Sequence, residues 1–300
     1  MERDVMASSA YEADYTQKVM FTGKGCFLPG TSIEILREPP GRGSYRHVLF
    51  DFDGTLSLIR EGWPEVMIPM MVEILLKTGT SESPSELEAI VRDFVMRLNG
   101  KQTIYQMIQL CEEIKKRGGT PKDPLDYKYM YLDRLMERIR DRRQALSTRR
   151  IQPEDMLVPC ALDLLKALHD RGLHLYLASG TDEFYVREEA RLLNLTPYFG
   201  DHIYGAIDNY KSFSKAIVIQ RILQENEIDG AHLLGFGDGY VEIDNIKSVG
   251  GAAVGVASDE AGRSGNPDLW KRNRLIGVGA DIIIPDYRQY AALIDYLFSK

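Results

Sequence analysis

Residues 47–57 read HVLFDFDGTLS. An apolar run, Val48-Leu49-Phe50, leads into Asp51-Phe52-Asp53, and the chain breaks at Gly54. Apolar β-branched and aromatic residues bounded by a glycine turn are the pattern of a buried strand. Such a strand is a costly place to end in two carboxylates, one residue apart, unless a cation or a ligand compensates them. What the rest of the chain brings to meet them decides the fold and the chemistry.

Runs of strand length recur downstream: LHLYLA (173–178), AHLLGF (231–236), AAVGVA (252–257) and ADIIIPD (280–286). They alternate little, as expected of strands covered on both faces. Between them lie helix-period segments, ALDLLKALHDRG (161–172), EFYVREEARLLNL (183–195) and SKAIVIQRILQEN (214–226). This alternation predicts an α/β fold, a Rossmann-like parallel sheet with helices on both faces. TSIEILRE (31–38) reads as an added edge strand, within a mostly polar, loop-like extension over residues 1–46.

One interval breaks the rhythm. More than a hundred residues separate the first strand from the second, far beyond an ordinary crossover. SPSELEAIVRDFVMRL (83–98) opens with a Ser83–Glu86 capping box and a proline at the first helical position. TIYQMIQLCEEIKKRGG (103–119) opens with a second box, Thr103 to Gln106, and the next segment sets Leu125, Tyr129, Leu132, Leu135 and Ile139 on one face. The predicted organisation is an α/β core over 47–59 and 153–300, interrupted by an all-helical cap over 60–152 with its own core.

The strand ends carry the chemistry. The first delivers Asp51 and Asp53, the second Ser179-Gly180-Thr181, and the third Asp238, followed by Glu242 and Asp244. In an open parallel sheet such ends face one crevice. Acids gathered there repel one another unless a hard cation such as Mg²⁺ is shared among them. Lys215, in the first turn of the helix leading to the third strand, opposes the helix dipole unless an anion lies beside it. Lys211, four residues earlier, is the competing lysine.

The order DFDGT, a hydrophobic strand ending in Ser-Gly, a lysine, then GDGYVE resembles the haloacid dehalogenase superfamily, in its phosphatase branch, over roughly residues 47–290. The helical insert resembles that family's cap. The departure is Glu242, which stands where the fourth motif has its second aspartate. The resemblance implies that Asp51 is a nucleophile forming an aspartyl-phosphate and that Asp53 is the general acid and base. It implies Ser179, the Gly180 amide and Lys215 as phosphate binders, and Mg²⁺ on Asp51, the Asp53 main-chain carbonyl and Asp238, with Glu242 a further candidate ligand. Two carboxylates are needed because one is bonded to phosphorus while the other moves a proton. Asp53 favours phosphate chemistry over carbon–halogen cleavage, since a departing halide needs no proton. The expected activity is hydrolysis of a small phosphomonoester, a sugar phosphate or a phosphoglycolate-like acid. The alternatives are a phosphomutase of the β-phosphoglucomutase type and a non-catalytic binding module that kept the fold.

Other features carry less. Thr55 and Thr181 read equally as turn residues or caps. The basic stretches KKRGGTPKD (115–123) and RDRRQALSTRR (140–150) read as solvated helix faces, and NGKQT (99–103) as a structural turn that competes with a substrate-reading loop. Trp63 is either a lining of the site's mouth or a hinge aromatic, and the five histidines show no ligand spacing. GFGDG (235–239) lacks the third glycine of a dinucleotide fingerprint, and TGKG (22–25) the spacing of a P-loop. A net charge of −7 argues against nonspecific nucleic-acid binding, and three scattered cysteines fit a reducing compartment. The first residues lack the apolar core of a signal peptide, and VMIPMMVEILL (66–76) is too short to span a bilayer, so no membrane partner and a cytoplasmic location are expected.

Overall fold

The computed structural model describes residues 14–20 and 25–299. The TGKG stretch, through residue 24, lies largely outside them, as does most of the polar N-terminus. In chain order the strands are β1 (Cys26–Phe27), β2 (Glu34–Ile35), β3 (His47–Phe50), β4 (His174–Asp182), β5 (Ile203–Ala206), β6 (Leu233–Gly237), β7 (Ala252–Val256) and β8 (Ile282–Ile284). The helices are α1 (Pro64–Leu76), α2 (Pro84–Arg97), α3 (Thr103–Lys116), α4 (Pro124–Ser147), α5 (Ala161–His169), α6 (Glu183–Leu192), α7 (Thr196–Phe199), α8 (Lys215–Glu225), α9 (Tyr240–Ser248), α10 (Leu269–Gly277) and α11 (Tyr290–Phe298).

The strands form one sheet in the order β1-β2-β8-β7-β6-β3-β4-β5. From β8 through β5 every pairing is parallel. β2 pairs antiparallel with β8, and β1 with β2, so the TSIEILRE segment does add a strand beyond β8, over two residues rather than eight, but Cys26–Phe27 and not that segment forms the edge. From β3 the chain lays down β4 and β5 on one side, then crosses to β6 on the other. The reversal falls at β3, and the crevice beyond its carboxyl end is where such sheets bind ligands.

The period of a strand explains the two-sided core. All four β3 residues are buried. Val48 and Phe50 join the cluster containing Leu164 of α5, Val186 of α6 and Leu293 of α11, whereas Leu49 joins the one containing Ile219 of α8, Ile243 of α9 and Leu275 of α10. Short β5 carried no distinct sequence signal: four residues with a glycine among them fall below the length at which periodicity speaks.

The interval between β3 and β4 holds α1–α4, as its patterning predicted. Ser83 caps α2 through the anticipated box, with Ser83 Oγ accepting from the Glu86 amide at 3.3 Å and Glu86 Oε2 from the Ser83 amide at 2.8 Å. The box predicted at Thr103 does not form. Helix α3 begins at Thr103 itself, and the preceding Gln102 spends its side-chain amide on the carbonyls of Phe213 and Tyr210, at 2.7 and 3.2 Å. On α4 the buried face is turned from the expected one: Tyr129 is 46% exposed, while Lys128, Tyr131, Leu132, Leu135 and Ile139 are buried. Nor is the insert's core separate. Leu87, Phe94 and Met107 belong to the same contiguous cluster as Phe50 and Leu164.

Among the described residues no helix is long and apolar enough to cross a membrane.

Candidate active site

The β3 end sets the geometry. The Asp51 amide donates to the Phe236 carbonyl of β6 at 3.0 Å, which extends the ladder one residue past the strand. The chain then doubles back, with the Leu56 and Ser57 amides both on the Phe52 carbonyl at 2.8 Å. Gly54 makes the turn at φ +74°, and a side chain there would run into the Asp238 carboxylate. The turn therefore brings the backbone of the first motif close against Asp238.

Asp51 is buried, and Lys215 Nζ lies 2.7 Å from its Oδ1. The same ammonium contacts the Glu242 carboxylate, which is fully buried on the first turn of α9. One cation between two acids accounts for a lysine at the first position of α8, where Ser214 caps the helix by accepting from the Ile217 amide at 3.2 Å. Lys211 is exposed and is not among the residues lining the cavity. Glu242, a candidate metal ligand by sequence, does not line the cavity. It lies against Lys215 Nζ, the ammonium that also contacts Asp51.

Asp53 faces different partners. Thr181 Oγ1 donates to its Oδ2 at 2.8 Å, Arg60 Nε stands 3.8 Å from its Oδ1, and that oxygen is buried without a hydrogen-bond partner. Arg60 is held by a two-point pair with Glu189 of α6, at 3.0 and 2.9 Å, both residues buried. Ser179 is buried at the β4 end, its Oγ accepting from the Thr181 amide at 3.0 Å. Thr55 Oγ1 accepts from the Asp238 amide at 2.9 Å and lies 3.3 Å from Asp238 Oδ1. Both threonines thus position acids and are more than turn residues.

Burial sets the electrostatics. It pushes Asp51 up to about 6, against Lys215, which holds it down, and with Asp238, which adds to the rise. It pushes Asp53 up to about 7, partly offset by Arg60. On the far side of Asp238, Lys271 Nζ of α10 lies 2.9 Å from Oδ2, 2.6 Å from Glu260 Oε1 and 3.0 Å from Ser258 Oγ. Burial works against that ammonium, but Asp238 and Glu260 outweigh it and hold its pKa above the usual lysine value.

The cavity, open to solvent on one side, has a volume of about 90 Å³. Asp51, Asp53, Ser179, Gly180, Lys215 and Asp238 line its sheet side. Trp63, Asn99, Lys101, Thr103, Gln106 and Tyr131 line the other, all from the insert or the segment leading into it. The NGKQT loop passes so close that a side chain at Gly180 would sit 2.8 Å from the Lys101 carbonyl. Among the described residues no histidine lines the space, and the basic stretches face solvent or pair with acids, Arg142 with Glu61 and Arg143 with Glu188.

Among the described residues no three His, Cys, Asp or Glu side chains gather closely enough to hold a metal ion. The donors still fit a hard divalent cation. Asp51 and Asp238 repel each other across the cavity, and two carboxylates with water and phosphate oxygens are the sparse ligand set Mg²⁺ accepts.

Sequence reasoning missed Arg60, Glu189, Glu260, Lys271 and Tyr131, which lie outside any motif. The one available signal was Arg60-Glu61, charges placed directly after the apolar run Leu58-Ile59.

The fold recurs in solved structures. A predicted phosphoglycolate phosphatase from Haemophilus somnus 129pt superposes with a TM-score of 0.53 at 15% identity, over 83% of this chain and 98% of that one. A predicted phosphatase from Clostridium acetobutylicum gives 0.52 at 18%, over 84% and 99%. β-Phosphoglucomutase from Clostridium difficile gives 0.52 at 13%, over 83% and 99%. No curated protein matches the chain in sequence. The profile of the haloacid dehalogenase-like hydrolases matches residues 45–250, from the approach to β3 to the turn after α9. With the strand-end acids converging as described, the chain belongs to the haloacid dehalogenase-like hydrolase family.

Proposed function

We propose that the protein is a Mg²⁺-dependent phosphatase that hydrolyses a small phosphomonoester, a sugar phosphate or phosphoglycolate-like acid, through an aspartyl-phosphate on Asp51. The observation that carries this is the pairing of two carboxylates with opposite surroundings in one cavity. Asp51 faces a fixed ammonium at 2.7 Å, and Asp53, near pKa 7, faces a hydroxyl at 2.8 Å.

In the first half-reaction an Asp51 oxygen bonds to phosphorus, the ester P–O bond breaks, and Asp53 gives its proton to the departing alkoxide. In the second, Asp53 takes a proton from water, the oxygen of that water bonds to phosphorus, and the acyl-phosphate bond breaks to return the Asp51 carboxylate and inorganic phosphate. A pKa near 7 suits a group that must give and take a proton at neutral pH. Lys215, the Ser179 hydroxyl and the Gly180 amide would hold the phosphoryl oxygens as charge shifts among them, with Glu242 keeping Lys215 in place. Mg²⁺ held by Asp51, the Asp53 carbonyl and Asp238 would supply positive charge that lowers the repulsion between carboxylate and phosphate. Lys271 and Thr55 would orient Asp238.

The size of the cavity bears on the substrate. With about 90 Å³ beside Asp51 and Lys215, the space accommodates a phosphoryl group, and its open side leaves room for the rest of a small ester. In this reading α1–α4 form the cap, residues 60–152 move as a unit about the segments on either side, and closure excludes water during transfer.

Phosphate release from a panel of phosphomonoesters, with Mg²⁺ or EDTA, on the wild type and on Asp51→Asn, tests the proposal. Metal-dependent release that the variant loses supports it. Absence of release with interconversion of phosphosugars would replace it by the mutase, and absence of both by the binding module.

A further inference from the structure

Residues 14–20 lie outside the matched family region and have no regular structure, yet they are anchored at both ends of a short path. Asp14 reaches the insert: its Oδ1 accepts from Lys101 Nζ at 2.6 Å and its Oδ2 from Arg97 Nη1 at 3.3 Å. Lys101 is a cavity-lining residue whose side chain is 1% exposed, so this carboxylate is one of the groups that hold a buried ammonium at the substrate space. Tyr15 sits on the sheet side, edge-on to Tyr240 at 5.5 Å between centroids and under the Arg274 guanidinium at 4.2 Å. Tyr240 opens α9 two residues after Asp238. Farther along, Lys18 pairs with Asp244 of α9, and the Lys18 and Val19 amides both donate to the Gly277 carbonyl at the end of α10, at 2.8 and 2.9 Å.

We infer that residues 14–20 are a strap fastening the loop at 99–101 to α9 and α10, and that Asp14 is a positioning residue that fixes Lys101 at the cavity. The inference about turnover rests on the phosphatase reading, whereas the fastening itself does not. Three features carry it. Charge on the strap matches charge on each surface, acid to the insert's cations and lysine to α9's acid. Each end is held by more than one contact. The loop it grips also closes on Gly180, so a displaced strap would disturb the phosphate side of the site through backbone. A parallel link, Arg274 Nη2 to the Arg97 carbonyl at 3.1 Å, runs beside it, so that Tyr15 braces a bridge between the two halves.

Hydrogen exchange on the full chain, wild type against Asp14→Asn, Asp14→Glu and the double variant Asp14→Asn/Tyr15→Ala, tests the strap without needing a substrate. Amides 99–105 should exchange roughly two- to fivefold faster in Asp14→Asn and faster still in the double variant, with β4 and α5 unchanged and Asp14→Glu close to wild type. Unchanged exchange over 99–105 in the double variant overturns the strap. On any phosphomonoester the wild type turns over, Asp14→Asn should raise KM with little change in kcat, and Asp14→Glu should restore it. A matched fall in stability and kcat at constant KM would overturn the positioning role. A wild type that releases no phosphate would strike the phosphatase reading and leave the exchange result standing.

Discussion

The two walls of the cavity are built in different ways. On the sheet side, Asp51, Asp53, Ser179 and Asp238 project from the ends of three adjacent parallel strands whose backbones are locked by ladder hydrogen bonds and buried on both faces. On the insert side, Trp63, Asn99, Lys101 and Tyr131 come from a helix start, a loop and a long helix, joined to the sheet through side-chain bridges such as Arg60–Glu189 and Arg143–Glu188. The first wall places atoms to within a hydrogen bond through a continuous backbone ladder. The second is joined both by ion pairs and by apolar packing continuous with the core, and its side-chain links can rearrange without breaking a backbone ladder. On the proposed reading, chemistry would fall to the first, rigid wall and recognition to the second, adjustable one.

That contrast breaks most sharply at the nucleophile. Asp51→Asn should lower phosphate release by about 10³-fold or more, measured by steady-state kinetics, because the proposed route runs through an acyl-phosphate on that carboxylate. Survival of ordinary turnover would remove the covalent route. Next comes the bridge between the walls. Glu189→Gln leaves the buried Arg60 charge short of its partner and should cost about 3 kcal/mol of stability by denaturant unfolding. If stability held and only the insert's hydrogen exchange rose, the pair would serve motion rather than folding.

The pH profile sharpens the distinction within the rigid wall. Asp51 must be ionised to attack, so activity should fall below about pH 6, while Asp53 must carry a proton to protonate the leaving group, so it should fall above about pH 7. Raising Mg²⁺ should move the acid limb down, since positive charge beside Asp51 favours its ionised form. A smaller effect concerns stability. The Asp53 pKa is raised in the folded state, so its stabilising contribution is complete below about pH 4 and is lost as pH rises through about 7. Asp53→Asn should therefore melt about 2–5 °C higher than wild type at pH 8, with no gain in acid, by calorimetry. On the adjustable wall Lys101→Met should change KM by several-fold and leave kcat nearly intact, a test of whether recognition is confined there.

The walls also differ in how far the sequence revealed them. Each acid or hydroxyl on the sheet side stands in a contiguous stretch at a strand end, where an apolar run stops and a polar residue begins, so Asp51, Asp53, Ser179 and Asp238 could be placed from the sequence and its family resemblance, whereas Lys215 could not be told from Lys211. Nor could their company be placed. Lys271 stands 33 residues beyond Asp238 and Glu189 lies mid-helix in an ordinary amphipathic stretch, and each reads as a surface charge until the fold buries it. Glu242 shows the limit from the other direction, for its spacing suggested a metal ligand, while the turn of α9 aims it at Lys215 instead.

By itself the sequence determined the alternation of strands and helices, the helical interruption and the strand-end acids, because each depends on local periodicity or on neighbours a few residues apart. The tertiary structure alone decided which of two lysines meets Asp51, what lies beside Asp53, and that a segment near residue 14 fastens the loop at residue 101. Those are pairings between distant residues. Their energies come from burial and from charges brought within about 3–4 Å, and nothing in a linear pattern fixes such distances.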